Sequence, residues 1–245
     1  MRTFKLTLAY DGTNYVGWQR QVNGVSIQQL VEEACVPLSG TMPAVAGAGR
    51  TDAGVHAIGQ VASVDLKTTL PVEKLQRAIN FRLPPDIRVV DLADAPPGFH
   101  ARFHALGKAY RYRMVTQPVP SPFDRWFVWH APEVRDVEAM RRAAAVLVGQ
   151  HDFASFQAVG PCERDPVKTI HRLEIRDMSG ELRIEIEGDG FLRHMVRVIA
   201  GTLADVGVGT RTPESVADAL AARTRPAAGR TAPACGLTLV SVQYC

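Results

Sequence analysis

The chain has 245 residues, with 28 Lys+Arg against 25 Asp+Glu and a formal net charge of +3. That length predicts two domains of ordinary size, or one large double one, burying roughly 70–75% of the unfolded surface without staples. No apolar run approaches the ~18 residues of a membrane span. Cys35, Cys162, Cys235 and Cys245 lie far apart and form no C-x-x-C pair. The N-terminus alternates like a strand rather than forming a signal peptide's apolar core, so the cysteines read as free thiols in a reducing cytoplasm.

Phe4 to Tyr10 alternates Phe4, Leu6, Leu8 and Tyr10 against Lys5, Thr7 and Ala9, the pattern of a half-buried strand. Asp11-Gly12 turns the chain, and Trp18-Gln19-Arg20-Gln21 follows in a loop, with Trp18 read as a cap on the core. Ser26 with Gln29 reads as a capping box opening a helix whose apolar face is Ile27, Leu30, Val31, Ala34 and Leu38.

Gly47 to Gln60 packs Gly47, Gly49, Gly54 and Gly59 around Arg50 and Asp52. Glycine permits φ > 0 and close approach of another backbone, so this stretch reads as a tight turn presenting Arg50 and Asp52, leading into a strand at Val61 to Leu66. Taken locally, Asp52 is an ordinary turn former or cap. The phosphate-loop pattern G-x-x-x-x-G-K-[ST] is absent, and Asp52 stands where a dinucleotide fingerprint needs its third glycine. Asp52 and His56 alone make no metal set. What remains is a lone carboxylate with a cation two residues before it. An aspartate in water is ionised at neutral pH, and a carboxylate serves as a nucleophile without a cofactor.

Pro71 starts a second helix with Val72, Leu75 and Ile79 inward, Pro84-Pro85 ends it, and Ile87 to Leu92 reads as a strand. The order strand, helix, strand, helix, strand is that of a split βαβ, RRM-like half. Residues 93–107 form the joint between halves. Within them His100 and His104 have metal-like spacing but no Cys or carboxylate close by.

No acidic residue occurs from Ala95 to Phe123, while His100, Arg102, His104, Lys108, Arg111 and Arg113 do. Cations beside aromatics suit a phosphate backbone with bases to stack on, or a basic solvated edge strand. Tyr110 to Val115 opens the second half, with Tyr110, Tyr112 and Met114 on one face and Arg111 and Arg113 on the other. Val137 to Val148, opened by Asp136 and closed by Gly149, reads as a helix. Residues 153–164, with Cys162, form a polar, aromatic loop. Ile170 to Arg176 and Leu182 to Glu187 form a hairpin across Ser179-Gly180. Leu192, Met195, Val196, Ile199, Leu203 and Val206 make a helical stripe, with Arg193 and Arg197 spaced i, i+4 on a different face of it. Thr212-Pro213 starts a short helix, residues 224–233 read as a mobile loop, and Gly236 to Val240 leads a terminal strand.

Gly49-Arg50-Thr51-Asp52-Ala53-Gly54-Val55-His56 resembles the signature of the TruA family of tRNA pseudouridine synthases. Tyr10-Asp11-Gly12 with Tyr15, Gly17-Trp18-Gln19-Arg20-Gln21, Phe99-His100-Ala101-Arg102-Phe103, Tyr110-Arg111-Tyr112, Asp152-Phe153 with Ser155-Phe156, and His194-Met195-Val196-Arg197 follow in that family's order. The ordered set covers nearly the whole chain. The resemblance implies an α+β fold in which two RRM-like (split βαβ) halves, residues 1–105 and 106–245, form a continuous mixed, mainly antiparallel sheet flanked by helices, with a central basic cleft. It implies isomerisation of uridine to pseudouridine at positions 38–40 of the tRNA anticodon stem-loop, by a cytoplasmic homodimer without cofactor or metal.

By the same resemblance Asp52 is the catalytic residue. It acts at C1′, either as a covalent nucleophile or by taking a ribose proton to form a glycal. Arg50 and Arg197 hold it ionised, since a nearby cation favours the charged form. Tyr110 contacts the target uridine and Leu237 helps exclude water, whereas Tyr112 is structural. A rival reading, a non-catalytic RNA-binding protein or tRNA chaperone, explains the basic aromatic stretch but not Arg50-Thr51-Asp52 in a glycine turn, and it lacks an RNP1-type motif. A small-molecule hydrolase or lyase lacks any G-x-S-x-G or paired acid/base spacing.

Overall fold

Among the described residues the strands are β1 (Arg2–Tyr10), β2 (Val45–Gly47), β3 (His56–Leu66), β4 (Ile87–Asp94), β5 (Gly107–Val115), β6 (Trp129–His130), β7 (Gly149–Asp152), β8 (Val167–Asp177), β9 (Glu181–Gly188) and β10 (Leu237–Gln243). The helices are α1 (Ile27–Ser39), α2 (Val72–Arg82), α3 (Val137–Ala145), α4 (Met195–Val208) and α5 (Ser215–Ala222). This computed structural model describes residues 1–158, 160 and 165–245; Cys162 and the end of its loop lie outside them. The fold is α+β, with mostly antiparallel strands and flanking helices.

The chain divides into two units, Met1–Leu106 with Thr238–Cys245, and Gly107–Leu237. Two contiguous halves meeting at 105/106 are expected from sequence. In the structure the division follows Leu106, and the last eight residues return to the first unit.

In the first unit β1 lies between β3 and β4, antiparallel to both. Its alternation is physical: Phe4, Leu6, Leu8 and Tyr10 are buried. Leu75 and Ile79 of α2 are buried on the same scale, as are Ile27, Val31 and Cys35 of α1. Ser26 caps α1 by accepting the Gln29 amide at 3.3 Å. Gln29's side chain reaches forward to Glu33 instead of back, so half of the expected capping box forms. Pro71 stands at the cap of α2, one residue before its first turn. β3 begins at His56, five residues earlier than Val61, and β10 runs parallel to its start, with Thr238 opposite His56 and Leu239 opposite Ala57. A Cβ on Gly59 would meet the Val240 carbonyl oxygen at 2.2 Å, so this pairing needs glycine there. Leu106 donates its amide to the Gln243 carbonyl at 2.9 Å, and Tyr244 donates to the Ala101 carbonyl at 2.6 Å. These bonds are why the terminal strand belongs to the first unit.

In the second unit the strand order is β5-β9-β8-β7, antiparallel throughout, with β6 parallel to β5. The β8–β9 turn holds Ser179 at φ 60° and Gly180 at φ 103°, the pair of left-handed residues that a two-residue hairpin requires. Helix α4 is buried almost all round. It starts at Met195, after His194 in the left-handed conformation at φ 62°. Arg193 therefore precedes the helix, and the expected Arg193–Arg197 face does not exist.

Residues 224–233 are not a loose loop. The Gly229 amide bonds Thr202 Oγ1 at 2.9 Å, the Arg230 amide bonds Asp205 at 3.2 Å, and the Ala232 amide bonds the Arg197 carbonyl at 3.0 Å. A Cβ at Gly201 would sit 1.9 Å from the Arg230 carbonyl oxygen. Composition alone, rich in Pro and Ala, does not reveal the partners that α4 supplies.

Arg111 and Arg113 also differ from the expectation of an unopposed basic stretch. Arg111 pairs with Glu185 at 2.9 Å, and Arg113 with Glu181 at 2.8 Å and Asp124 at 3.2 Å. The glutamates come from β9, some 70 residues later, opposite β5 in the sheet. Hydrogen bonding from Arg113 holds the Glu181 carboxyl at about 2, below its ordinary value. A depressed carboxyl contributes stability that is complete above its unfolded pKa and lost as pH falls through the folded one. The denaturation midpoint of Glu181→Gln should therefore lie below wild type at neutral pH and meet it near pH 2. Equal midpoints at neutral pH would contradict this pairing's contribution.

Candidate active site

Asp52 starts a four-residue turn closed by Val55 N–H to the Asp52 carbonyl at 3.1 Å. Gly54, its third residue, lies at φ 75°, which a side chain would resist. The strand β3 begins directly afterwards. Asp52 is half-buried, Arg50 is exposed and Thr51 between them is buried.

The turn is held from behind by residues 10–18. A Cβ on Gly17, itself at φ 97°, would meet the Thr51 carbonyl oxygen at 2.4 Å and the Asp52 carbonyl carbon at 2.9 Å. A Cβ on Gly12 would meet the Val55 carbonyl oxygen at 2.0 Å. Two backbones thus lie directly against each other. Trp18 N–H donates to the Thr51 carbonyl at 3.0 Å, and its ring is buried, tilted 6.3 Å from Tyr10. Trp18 is core, as expected of a loop tryptophan that caps one.

Polar side chains complete the clamp. Tyr10 Oη lies 2.9 Å from Thr51 Oγ1. Gln60 Nε2 donates to Tyr10 Oη at 3.4 Å and to the Gly49 carbonyl at 3.0 Å, while its Oε1 accepts the Val61 amide at 3.1 Å. Burial pushes the Tyr10 hydroxyl up to about 12, so it keeps its proton. His56 Nδ1 accepts the Gly12 amide at 3.0 Å. Asp11 Oδ1 lies 3.1 Å from the same nitrogen and accepts from the Thr13 amide and hydroxyl. Arg50 donates from Nε to Gln19 Oε1 at 3.1 Å, and Gln19 in turn donates to Gln28 at 2.8 Å.

Arg50 and Asp52 therefore share one clamped turn of the first unit. Tyr110, Arg197 and Leu237 belong to the second unit. Tyr110 lies on β5, buried, edge-on to Phe191 at 5.2 Å. Arg197 is half-buried on α4 and donates from Nε to the Ala232 carbonyl at 2.9 Å. Leu237 is buried and immediately precedes Thr238. Tyr112 is fully buried and donates to the Pro233 carbonyl at 2.8 Å, a structural role. His104 Nδ1 is occupied by the His100 amide at 3.0 Å. Among the described residues no three His, Cys, Asp or Glu gather as a metal set.

Tyr10, Gln19, His56 and Gln60 lie within or beside the sequence motifs but carry no chemical signature of their own. What marks Tyr10, His56 and Gln60 is burial of a polar group, visible only once the strands are paired; Gln19 is half-buried and marked by its bonds to Arg50 and Gln28. A glutamine in an apolar strand, as at Gln60, is the one cue available beforehand.

A family profile described as tRNA pseudouridine synthase matches residues 7–104 and 143–245. A protein named tRNA pseudouridine synthase A from Syntrophotalea carbinolica is 47% identical over 244 residues, covering 100% of this chain and 97% of that one. Proteins of the same name from Rhodospirillum centenum, 47% identical, and Myxococcus xanthus, 46% identical, each cover 100% of this chain, and are themselves covered to 100% and 92%.

Tyr10→Phe keeps the ring and removes the hydroxyl, leaving Thr51 and one Gln60 N–H short of a partner. Loss of such buried bonds costs about 1–3 kcal/mol. Chemical denaturation should show that loss; an unchanged midpoint would contradict the clamp.

Proposed function

The chain belongs to the tRNA pseudouridine synthase family, and on that premise we propose that Asp52 is its catalytic nucleophile, acting on uridines at positions 38–40 of the anticodon stem-loop. The enzyme isomerises uridine to pseudouridine in tRNA. The C1′–N1 bond breaks, the uracil turns, and a C1′–C5 bond forms. N1 leaves with the bonding pair as the Asp52 carboxylate joins C1′. C5 of the turned base then attacks C1′ and expels the carboxylate. C5 loses its proton and N1 gains one, so the product is an isomer and nothing is oxidised.

The observation that carries the assignment is the clamp. A half-buried carboxylate sits on a turn whose backbone is fixed by Gly12, Gly17, Trp18 and Thr51. A group held in one geometry reacts without first paying the entropy of being placed. The remaining roles follow the family pattern: Tyr110 stacks on the base, Arg50 and Arg197 hold the carboxylate ionised and bind phosphates, and Leu237 excludes water. Arg50's tie to Gln19 supports its part in this, because the guanidinium is oriented by a neutral partner and keeps its charge for the substrate. A uridine within a stem must leave its stack, at a cost of a few kcal/mol, which the tRNA contacts must supply. The active form is proposed to be a homodimer in the cytoplasm.

A purely RNA-binding role gives no use for a fixed carboxylate beside Arg50. Unmodified tRNA transcripts carrying uridine at only one of positions 38, 39 or 40, digested to nucleosides after incubation, separate the readings. Wild type should yield pseudouridine, which has uridine's mass and a different retention. Asp52→Asn should yield none while binding tRNA within about threefold of wild type. Pseudouridine formed by Asp52→Asn at the wild-type rate would remove Asp52 from the chemistry.

A further inference from the structure

Several arginines of the second unit are paired with carboxylates. Arg111, Arg113, Arg172, Arg176 and Arg183 each touch a glutamate. Arg211 and Arg225 touch no carboxylate among the described residues. Arg211 Nη1 donates to the Ala227 carbonyl at 2.9 Å. Arg225 Nη1 donates to the Ala228 carbonyl at 3.5 Å, and its Nη2 to Thr231 Oγ1 at 3.0 Å. The two guanidinium groups thus hang on consecutive carbonyls of one short turn.

Carbonyl and hydroxyl oxygens satisfy N–H groups but do not cancel charge. Both side chains are half-buried, and burial together with Arg211 lowers the Arg225 pKa, as expected of like charges held together. The turn cannot move aside to relieve them. Ala228 is buried, Gly229 is bonded to Thr202, and Arg230 is bonded to Asp205 and Glu133. A scaffold that holds two cations together without a counter-charge is complete only when an anion with several oxygens arrives. Guanidinium forks match phosphate oxygens.

We propose that Arg211 and Arg225 form a phosphate-binding site for the tRNA backbone, separate from the residues assigned to the reacting nucleotide. The proposal rests on the tRNA reading above. The site adds affinity and carries no base information, because phosphate contacts position a nucleic acid without reading its sequence.

The test is filter binding of an unmodified tRNA transcript across a range of salt. Each neutralised phosphate contributes roughly 0.7–0.9 to the slope of log K against log salt. Arg211→Gln with Arg225→Gln should weaken binding about tenfold near 0.1 M salt and lower the slope by about 1–2. Lysine at both positions should retain most of the slope, because charge rather than bracing is responsible. Arg176→Gln, whose partner is Glu174, should leave the slope at the wild-type value. Should the double variant fold poorly, Arg211→Gln alone leaves Arg225's bonds to the turn intact and should lower the slope by about 1. Wild-type affinity and slope in the glutamine variants overturn the site, as does equal weakening by lysine and glutamine. Wild-type protein that neither binds tRNA nor makes pseudouridine overturns the tRNA reading along with it. Wild-type protein that does both, beside glutamine variants with an unmoved slope, overturns the phosphate site alone.

Discussion

Bare backbone at residues 12 and 17 is the constraint on which the placing of the Asp52 turn depends. Nothing larger than hydrogen fits between these residues and the carbonyls of Thr51 and Val55. The contact turns two loops into one rigid piece. Once the backbones touch, the remaining polar groups have fixed partners. Trp18 N–H finds the Thr51 carbonyl, Gly12 N–H finds His56, and Tyr10 finds Thr51 and Gln60. Each bond is individually modest, but an unmade one in this buried setting would be costly. The carboxylate at the end of the turn inherits that rigidity.

Charge is organised as carefully as shape. A net charge of +3 conceals a sheet whose arginines are answered strand by strand by glutamates, as on β5 and β9. Against that background Arg50, Arg211 and Arg225 are bonded to neutral oxygens. Their orientation is set by protein, while their charge remains available to an anion.

Much of this was legible in the sequence where the cause is local. Alternation placed β1, the Ser179-Gly180 pair placed the β8–β9 turn, and the glycine-rich stretch around Asp52 announced a turn. Of its four glycines, only Gly54 takes a left-handed angle; Gly47 and Gly59 lie against Trp18 and β10. What stayed hidden is non-local. The glutamate partners of Arg111 and Arg113 sit some 70 residues away along the chain. The anchoring of residues 224–233 depends on Thr202 and Asp205 side chains and the Arg197 carbonyl of α4, and on the missing side chain at Gly201. The return of residues 238–245 to the first unit rests on a short parallel pairing with β3 that no periodicity encodes. Asp52 itself stood out only through its motif, because an aspartate in a glycine turn has a bland explanation as well.

The most direct test of the account is a single-turnover measurement of tritium release from tRNA labelled at C5 of uridine, comparing Gly17→Ala with wild type at saturating enzyme. The added methyl must push the Thr51–Asp52 backbone away, and a displacement of about 1 Å at a reacting group costs on the order of 100-fold. The account predicts a fall of that size with tRNA affinity retained within a few fold. Release at the wild-type rate from a folded Gly17→Ala protein would show that the clamp does not place the carboxylate proposed to be catalytic.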